Sequence, residues 1–131
     1  MLALLLVTLF GCGGPKPLPV SGIVTLDGKP VADAGVMFQP TEKGPTASGT
    51  TDANGKFQLA TTNTSGVLPG QYRVMIAKKE ISGMDKNGII GPKGIQTKWL
   101  TPEKYSKPET SGLKASVGRD QSEFNFALSS Q

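Results

Sequence analysis

The chain has 131 residues, 18% of them charged, with 14 Lys and Arg against 10 Asp and Glu, one Cys and no His. A net charge of +4 is too mild to indicate nucleic-acid binding, so no nucleic-acid partner is expected. Without histidine the chain cannot by itself supply a His-containing zinc site or the base of a serine or cysteine nucleophile system.

The run from Leu2 to Phe10 is apolar apart from Thr8. It is shorter than the ~20 residues that span a bilayer, and it has the ~7–15-residue length of a signal-peptide apolar segment. No Lys or Arg precedes it. Leu9-Phe10-Gly11-Cys12 resembles the lipobox of bacterial lipoproteins, with Phe10 standing where a small or β-branched residue is usual. The resemblance implies cleavage before Cys12 and acylation of its thiol and of the new amino terminus. Two or more acyl chains anchor stably where one is marginal. The other reading is a secretory signal with an incidental Cys, or a short buried strand. A lone thiol in an exported chain invites oxidation and wrong pairing, which argues against it. Gly13 to Pro19, GGPKPLP, reads as a semi-rigid tether. The expected organisation is therefore a signal at 1–12, a tether at 13–19 and one domain with one core at 20–131.

From Val20 onward the pattern is period two with turn punctuation. Val20, Gly22, Val24 and Leu26 alternate with Ser21, Ile23 and Thr25, and Asp27-Gly28 is a hairpin-turn dipeptide. Val36 and Phe38 share a face. Thr46 to Thr51 leads into a turn at Asp52-Ala53-Asn54-Gly55, after which Phe57 and Leu59 point inward. A turn at Pro69-Gly70 precedes Tyr72, Val74 and Ile76 on one face. The alternation lapses at Ser82 to Lys98, rich in Gly, Lys and Asn, and stays irregular through Thr110. It returns as Leu113, Ala115, Val117 and as Phe124, Phe126, Leu128. About seven short strands with tight turns and no helical period predict an all-β antiparallel sandwich.

The segments VSGIVTLDGKPVADAGVMFQP, GTTDANGKFQLAT and LPGQYRVMIAKK, in that order, resemble the carboxypeptidase regulatory-like domain, a transthyretin-like sandwich. Pro102-Glu103-Lys104-Tyr105 and the closing Phe124-Asn125-Phe126-Ala127-Leu128 resemble segments of small bacterial lipoproteins of that family. The resemblance implies a fold and hardly any activity. Transthyretin-like 5-hydroxyisourate hydrolases carry histidines and a C-terminal Tyr-Arg-Gly-Ser; this chain has neither, reading Ala127 to Gln131 at that point. No catalytic residue, metal or cofactor is expected.

Each motif also has a physical reading. Gly22 allows close approach of a facing group. Asp27, Gly28, Asp52, Asn54, Gly55, Pro69 and Gly70 set turns and strand register. Tyr72 is expected to bury its ring while its hydroxyl finds a backbone partner, as tyrosines at sandwich corners do. The Asp52 motif superficially resembles a calcium loop, but Asn63 stands where a bidentate Glu is needed, and turn chemistry accounts for it. Asp27, Asp33 and Asp52 would hold an ion weakly if they gathered, though no spacing demands it.

Arg73 to Lys107 holds eight Lys or Arg against three acids, together with Trp99 and Tyr105. One reading makes Trp99, Tyr105, Lys93, Lys98 and Lys104 a binding surface for an anionic partner: a polysaccharide, a lipid headgroup or an acidic protein. The other makes the segment a solvated loop with Trp99 and Tyr105 packed onto the sandwich as anchors.

The functional expectation is a non-catalytic, lipid-anchored module of the bacterial cell envelope with an interaction or structural role. It is held at the membrane by lipid on Cys12, with an envelope protein or polysaccharide as partner. Its working surface is expected at a sheet edge or at the basic loop 82–110. The alternative is a carbohydrate- or anion-binding module. A third reading, a hydrolase, requires a carboxylate whose pKa is raised by burial, and none of the ten acids lies in an apolar run. Nothing in the sequence fixes an oligomeric state.

Overall fold

The computed structural model describes residues 16–62 and 64–130. Among them the strands run β1 (Ser21–Leu26), β2 (Lys29–Pro30), β3 (Gly35–Pro40), β4 (Ala47–Thr50), β5 (Lys56–Gln58) and β6 (Ala60–Thr61). They continue as β7 (Thr64–Ser65), β8 (Gly70–Ala77), β9 (Lys79–Ser82), β10 (Gln96–Trp99), β11 (Leu113–Val117) and β12 (Glu123–Leu128). A short 3-10 turn occupies Glu103–Ser106.

Two sheets form the sandwich. In one, β1 lies between β12 on one side and the short β2 and β5 on the other. The other has the order β11-β8-β3-β4-β6-β7. Pairing is antiparallel except for β1 with β12, which run parallel in register from Ser21↔Glu123 to Leu26↔Leu128. A parallel pair needs a long crossover, and here nearly the whole domain serves as the connection.

The core sits between the sheets and follows the period-two pattern. Val24, Phe57, Phe124, Phe126 and Leu128 face Val36, Phe38, Tyr72, Val74 and Ile76, all buried. Phe38 is the hub, with ring centroids 5.8 Å from Tyr72, 5.7 Å from Phe124 and 6.0 Å from Phe126. Gly22 is where the two-residue alternation demands no side chain. A Cβ there would overlap the Phe124 carbonyl and approach Phe57 Cζ to 2.7 Å.

The turns behave as their chemistry dictates. Asp27 (φ 51°) and Gly28 (φ 84°) both take the left-handed region that a tight hairpin requires. The Asp52 carboxylate accepts the N–H groups of Asn54 (2.8 Å) and Lys56 (2.9 Å). Tyr72 buries its ring and its hydroxyl donates to the Leu68 carbonyl at 2.7 Å.

The two ends of the sandwich differ in how the chain enters and leaves them. At one, Leu18 and Val67 exchange backbone hydrogen bonds of 2.8 Å, just ahead of Gly70 where β8 begins. Pairing with the domain thus starts at Leu18, inside the segment read as tether. β8 is eight residues long, about 26 Å of strand; it ends at Ala77 and the chain leaves the sandwich as β9.

Candidate functional site

The segment expected to be an irregular loop is a hairpin that stands apart from both sheets. β9 and β10 pair antiparallel from Lys79↔Trp99 to Ser82↔Gln96, and neither pairs with another strand among the described residues. Alternation is absent from this stretch for a physical reason. Alternating burial requires one covered face, and every residue of β9 and β10 is exposed.

The base of this arm is fixed. Lys78 N–H donates to the Thr101 hydroxyl at 2.9 Å, and the Lys78 carbonyl accepts from Leu100 (2.8 Å) and Thr101 (3.2 Å). Thr101 is itself buried, so the clamp belongs to the sandwich while the strands project from it.

A self-contained turn builds the tip. The Asp85 carboxylate accepts from Asn87 (2.8 Å) and Ile89 (2.9 Å), and the Asp85 carbonyl from Gly88 (3.0 Å). Asp85 N–H donates to the Ile89 carbonyl at 2.9 Å, and Gly91 N–H to the Gly83 carbonyl at 2.8 Å. Asp85-Lys86-Asn87-Gly88 therefore repeats, residue type and hydrogen bond alike, the turn at Asp52-Ala53-Asn54-Gly55. That repeat was the available signal for a hairpin in this region.

Side chains divide sharply over the arm. Ile81, Met84, Ile89, Ile90, Ile95 and Trp99 are all exposed; among the described residues Met37 is the one further large apolar side chain so placed. On the ribbon the register sets Lys79, Ile81, Thr97 and Trp99 on one face and Glu80, Ser82, Gln96 and Lys98 on the other. The Lys79 ammonium lies 5.7 Å from the centre of the Trp99 ring.

The candidate binding residues separate. Trp99 and Lys98 lie on β10 and Lys93 in the exposed tip. Tyr105 is part of the core. Its hydroxyl accepts from Ser129 N–H at 3.1 Å and donates to the Ser129 carbonyl at 3.4 Å, pinning the chain just after β12. Lys104 is exposed beside it, its ammonium 4.9 Å from the Tyr105 ring. Of the two aromatics, Tyr105 is an anchor and Trp99 is presented to solvent. Cys12 lies outside the described residues.

Among the described residues no three His, Cys, Asp or Glu gather as a metal site. Asp27 and Asp33 occupy left-handed turn positions, and Asp52 is engaged by its own turn. Hydrogen bonds from Ser130, its side chain first and its backbone N–H next, hold the Asp27 carboxyl below the usual range. That is the reverse of what a general base needs. Burial raises the Tyr72 phenol above its ordinary value. Among the described residues no helix is long and apolar enough to cross a membrane.

No family model and no curated protein matches the chain. Among solved structures, the major pilin subunit of Bacillus cereus is similar over 88% of this chain, at 10% identity and a TM-score of 0.48. A 9R-lipoxygenase from Cyanothece is similar over 85%, at 12% identity and a TM-score of 0.40. This chain spans 30% of the pilin's length and 16% of the lipoxygenase's.

Proposed function

We propose that the chain is a non-catalytic β-sandwich of the bacterial cell envelope, of the carboxypeptidase regulatory-like kind, anchored by lipid on Cys12 and presenting the Lys79–Trp99 arm to a partner. The observation that supports the presenting role is the concentration of exposed apolar side chains on one projecting hairpin. Soluble domains rarely expose contiguous apolar surface without a use for it. The sequence of residues 9–12 supports the anchor, and the three ordered segments from Val20 to Lys79 support the family.

Two measurements test this reading. Intact mass of the N-terminal peptide from protein made in a bacterial host should show cleavage before Cys12 plus acyl chains; a free thiol on an uncut terminus would remove the anchor. A photo-reactive residue at position 89 should form covalent adducts in cells, whereas one at Ser48, on the exposed side of β4, should not. Equal labelling from both sites would deny the arm its special role.

The carbohydrate- or anion-binding alternative keeps Trp99, Lys93 and Lys98, but Tyr105 is committed to the core. Titration with a polyanionic glycan before and after Trp99→Ala separates the two. A Trp99-dependent affinity favours the alternative, and no binding by either form disposes of it.

A further inference from the structure

We infer that the tip of the arm, residues 83–95, seats in the headgroup region of an anionic lipid bilayer. The inference deepens the reading of the arm as the working surface and does not depend on acylation of Cys12.

Three observations converge on it. The first is that the tip exposes four large apolar side chains within thirteen residues. Ile89 and Ile90 are adjacent in sequence, yet 63% and 54% exposed, and Met84, bridged to Ile90, and Ile95 are exposed as well. A protein partner covers one face of a hairpin and leaves the other in water, whereas a bilayer surrounds an inserted tip.

The second concerns the tip's backbone, half of whose N–H groups are bonded within the tip itself. Asp85 N–H, Asn87 N–H, Gly88 N–H, Ile89 N–H, Gly91 N–H and Gly94 N–H are all bonded within residues 83–94. Entry into lipid penalises unpaired backbone groups severely, and recognition by strand addition requires free ones. The tip is built for the former.

Charge supplies the third. The arm with its root carries Lys78, Lys79, Lys86, Lys93 and Lys98 against Glu80 and Asp85, and the Asp85 carboxylate is turned onto its own backbone N–H groups. Lysines flanking apolar side chains keep their ammonium groups in the headgroup layer while their stems lie along the apolar surface. Lys86 and Lys93, within the tip, are placed to meet lipid phosphates. The arm and the Leu18 end lie at opposite ends of β8, so a bilayer holding both would bring the sandwich to lie along its surface.

The chain has one tryptophan, which allows a direct test in the full-length protein. The double substitution Trp99→Phe/Ile90→Trp moves the reporter to an exposed position at the tip, where no packing has to adjust. Vesicles of phosphatidylglycerol and phosphatidylcholine in equal parts should shift its emission to the blue, and lipids brominated on the acyl chain should quench it. Pure phosphatidylcholine vesicles should do neither. Adding Lys86→Ala/Lys93→Ala should weaken the emission-detected affinity about 30-fold, the factor for two surface lysines. Unchanged tip emission on anionic vesicles overturns the inference, even if the chain sediments with them through its N-terminal segment. So does a response that is equal on neutral lipid and indifferent to the two lysines. If the adducts formed from position 89 in cells are to protein instead of lipid, the arm remains the working surface and the bilayer inference alone falls.

Discussion

The two Asp-x-Asn-Gly turns make the most instructive contrast in the molecule. Both place a carboxylate on the N–H groups two and four residues ahead, at 2.8 and 2.9 Å. After the first, the residue five positions past the Asp is Phe57, buried between the sheets. After the second it is Ile90, more than half exposed. Local chemistry makes the same turn in both places, although the first links strands of two different sheets. Only the tertiary environment decides whether the apolar side chains beyond it are buried or exposed. The sandwich should therefore carry the stability of the chain, while the arm contributes little beyond its own turn.

The strongest test of that division is truncation on either side of it. Phe38→Ala removes a fully buried ring in contact with three others and is expected to cost about 3–5 kcal/mol. Ile89→Ala should stay within about 0.5 kcal/mol of the parent. Denaturant unfolding of the two variants measures both. A loss above about 2 kcal/mol for Ile89→Ala would mean that the arm packs in solution and is no presenting surface.

Glycines sharpen the same contrast. Gly22→Ala drives a methyl group into the Phe124 carbonyl and the Phe57 ring, and overpacking of this kind costs about 1–3 kcal/mol. Gly88→Ala meets nothing within 4 Å, but its φ of 81° disfavours a Cβ by about 1–2 kcal/mol. That strain should appear as local fraying. Hydrogen exchange at Gly88 and Ile89 should quicken while the global melting temperature holds. A matching fall in melting temperature would show the arm to be cooperative with the sandwich.

Most of the sandwich was legible in the sequence because burial writes itself as alternation. Val36 and Phe38, Tyr72, Val74 and Ile76, and Phe124, Phe126 and Leu128 all lie inward as their spacing predicts. The Tyr72 hydroxyl finds the backbone carbonyl that its position beside a turn implied. The parallel partnership of β1 with β12 was not legible, since period two is blind to strand direction. The arm was missed for a different reason. A ribbon with neither face covered leaves no hydrophobic period, and only the repeated turn motif marked it. For the candidate site, the sequence marked a basic, aromatic-bearing region but could not divide Trp99 from Tyr105. That division depends on what Ser129 offers across the fold.

Tyr72 tests the sandwich by pH as well as by mutation. Tyr72→Phe leaves the Leu68 carbonyl without its donor, at a cost of about 1–1.5 kcal/mol. Burial favours the neutral phenol, so the folded pKa lies above the ordinary 10.0. The unfolded chain ionises first as pH rises, and stability should fall above about pH 10. In Tyr72→Phe that alkaline fall should be smaller. An unchanged alkaline limb would place the titrating group elsewhere.

The smallest effect is expected at Asp27, where the sandwich closes on its last strand. Ser130 N–H donates to the Asp27 carboxylate at 3.1 Å and lies just beyond β12, while Asp27 N–H donates to the Leu128 carbonyl at 2.9 Å. The folded pKa of Asp27 is lowered from 3.8. The stabilisation is therefore complete above that unfolded value and lost as pH falls through the folded one. Asp27→Asn keeps a residue tolerant of φ 51° and removes the titration. Its stability near neutral pH should drop slightly, and the difference from the parent should vanish as the solution is acidified below pH 3.8. A difference that persists undiminished in acid would mean that the Asn geometry, not the lost charge, is responsible. The link between the first hairpin and the final strand would then be steric in origin.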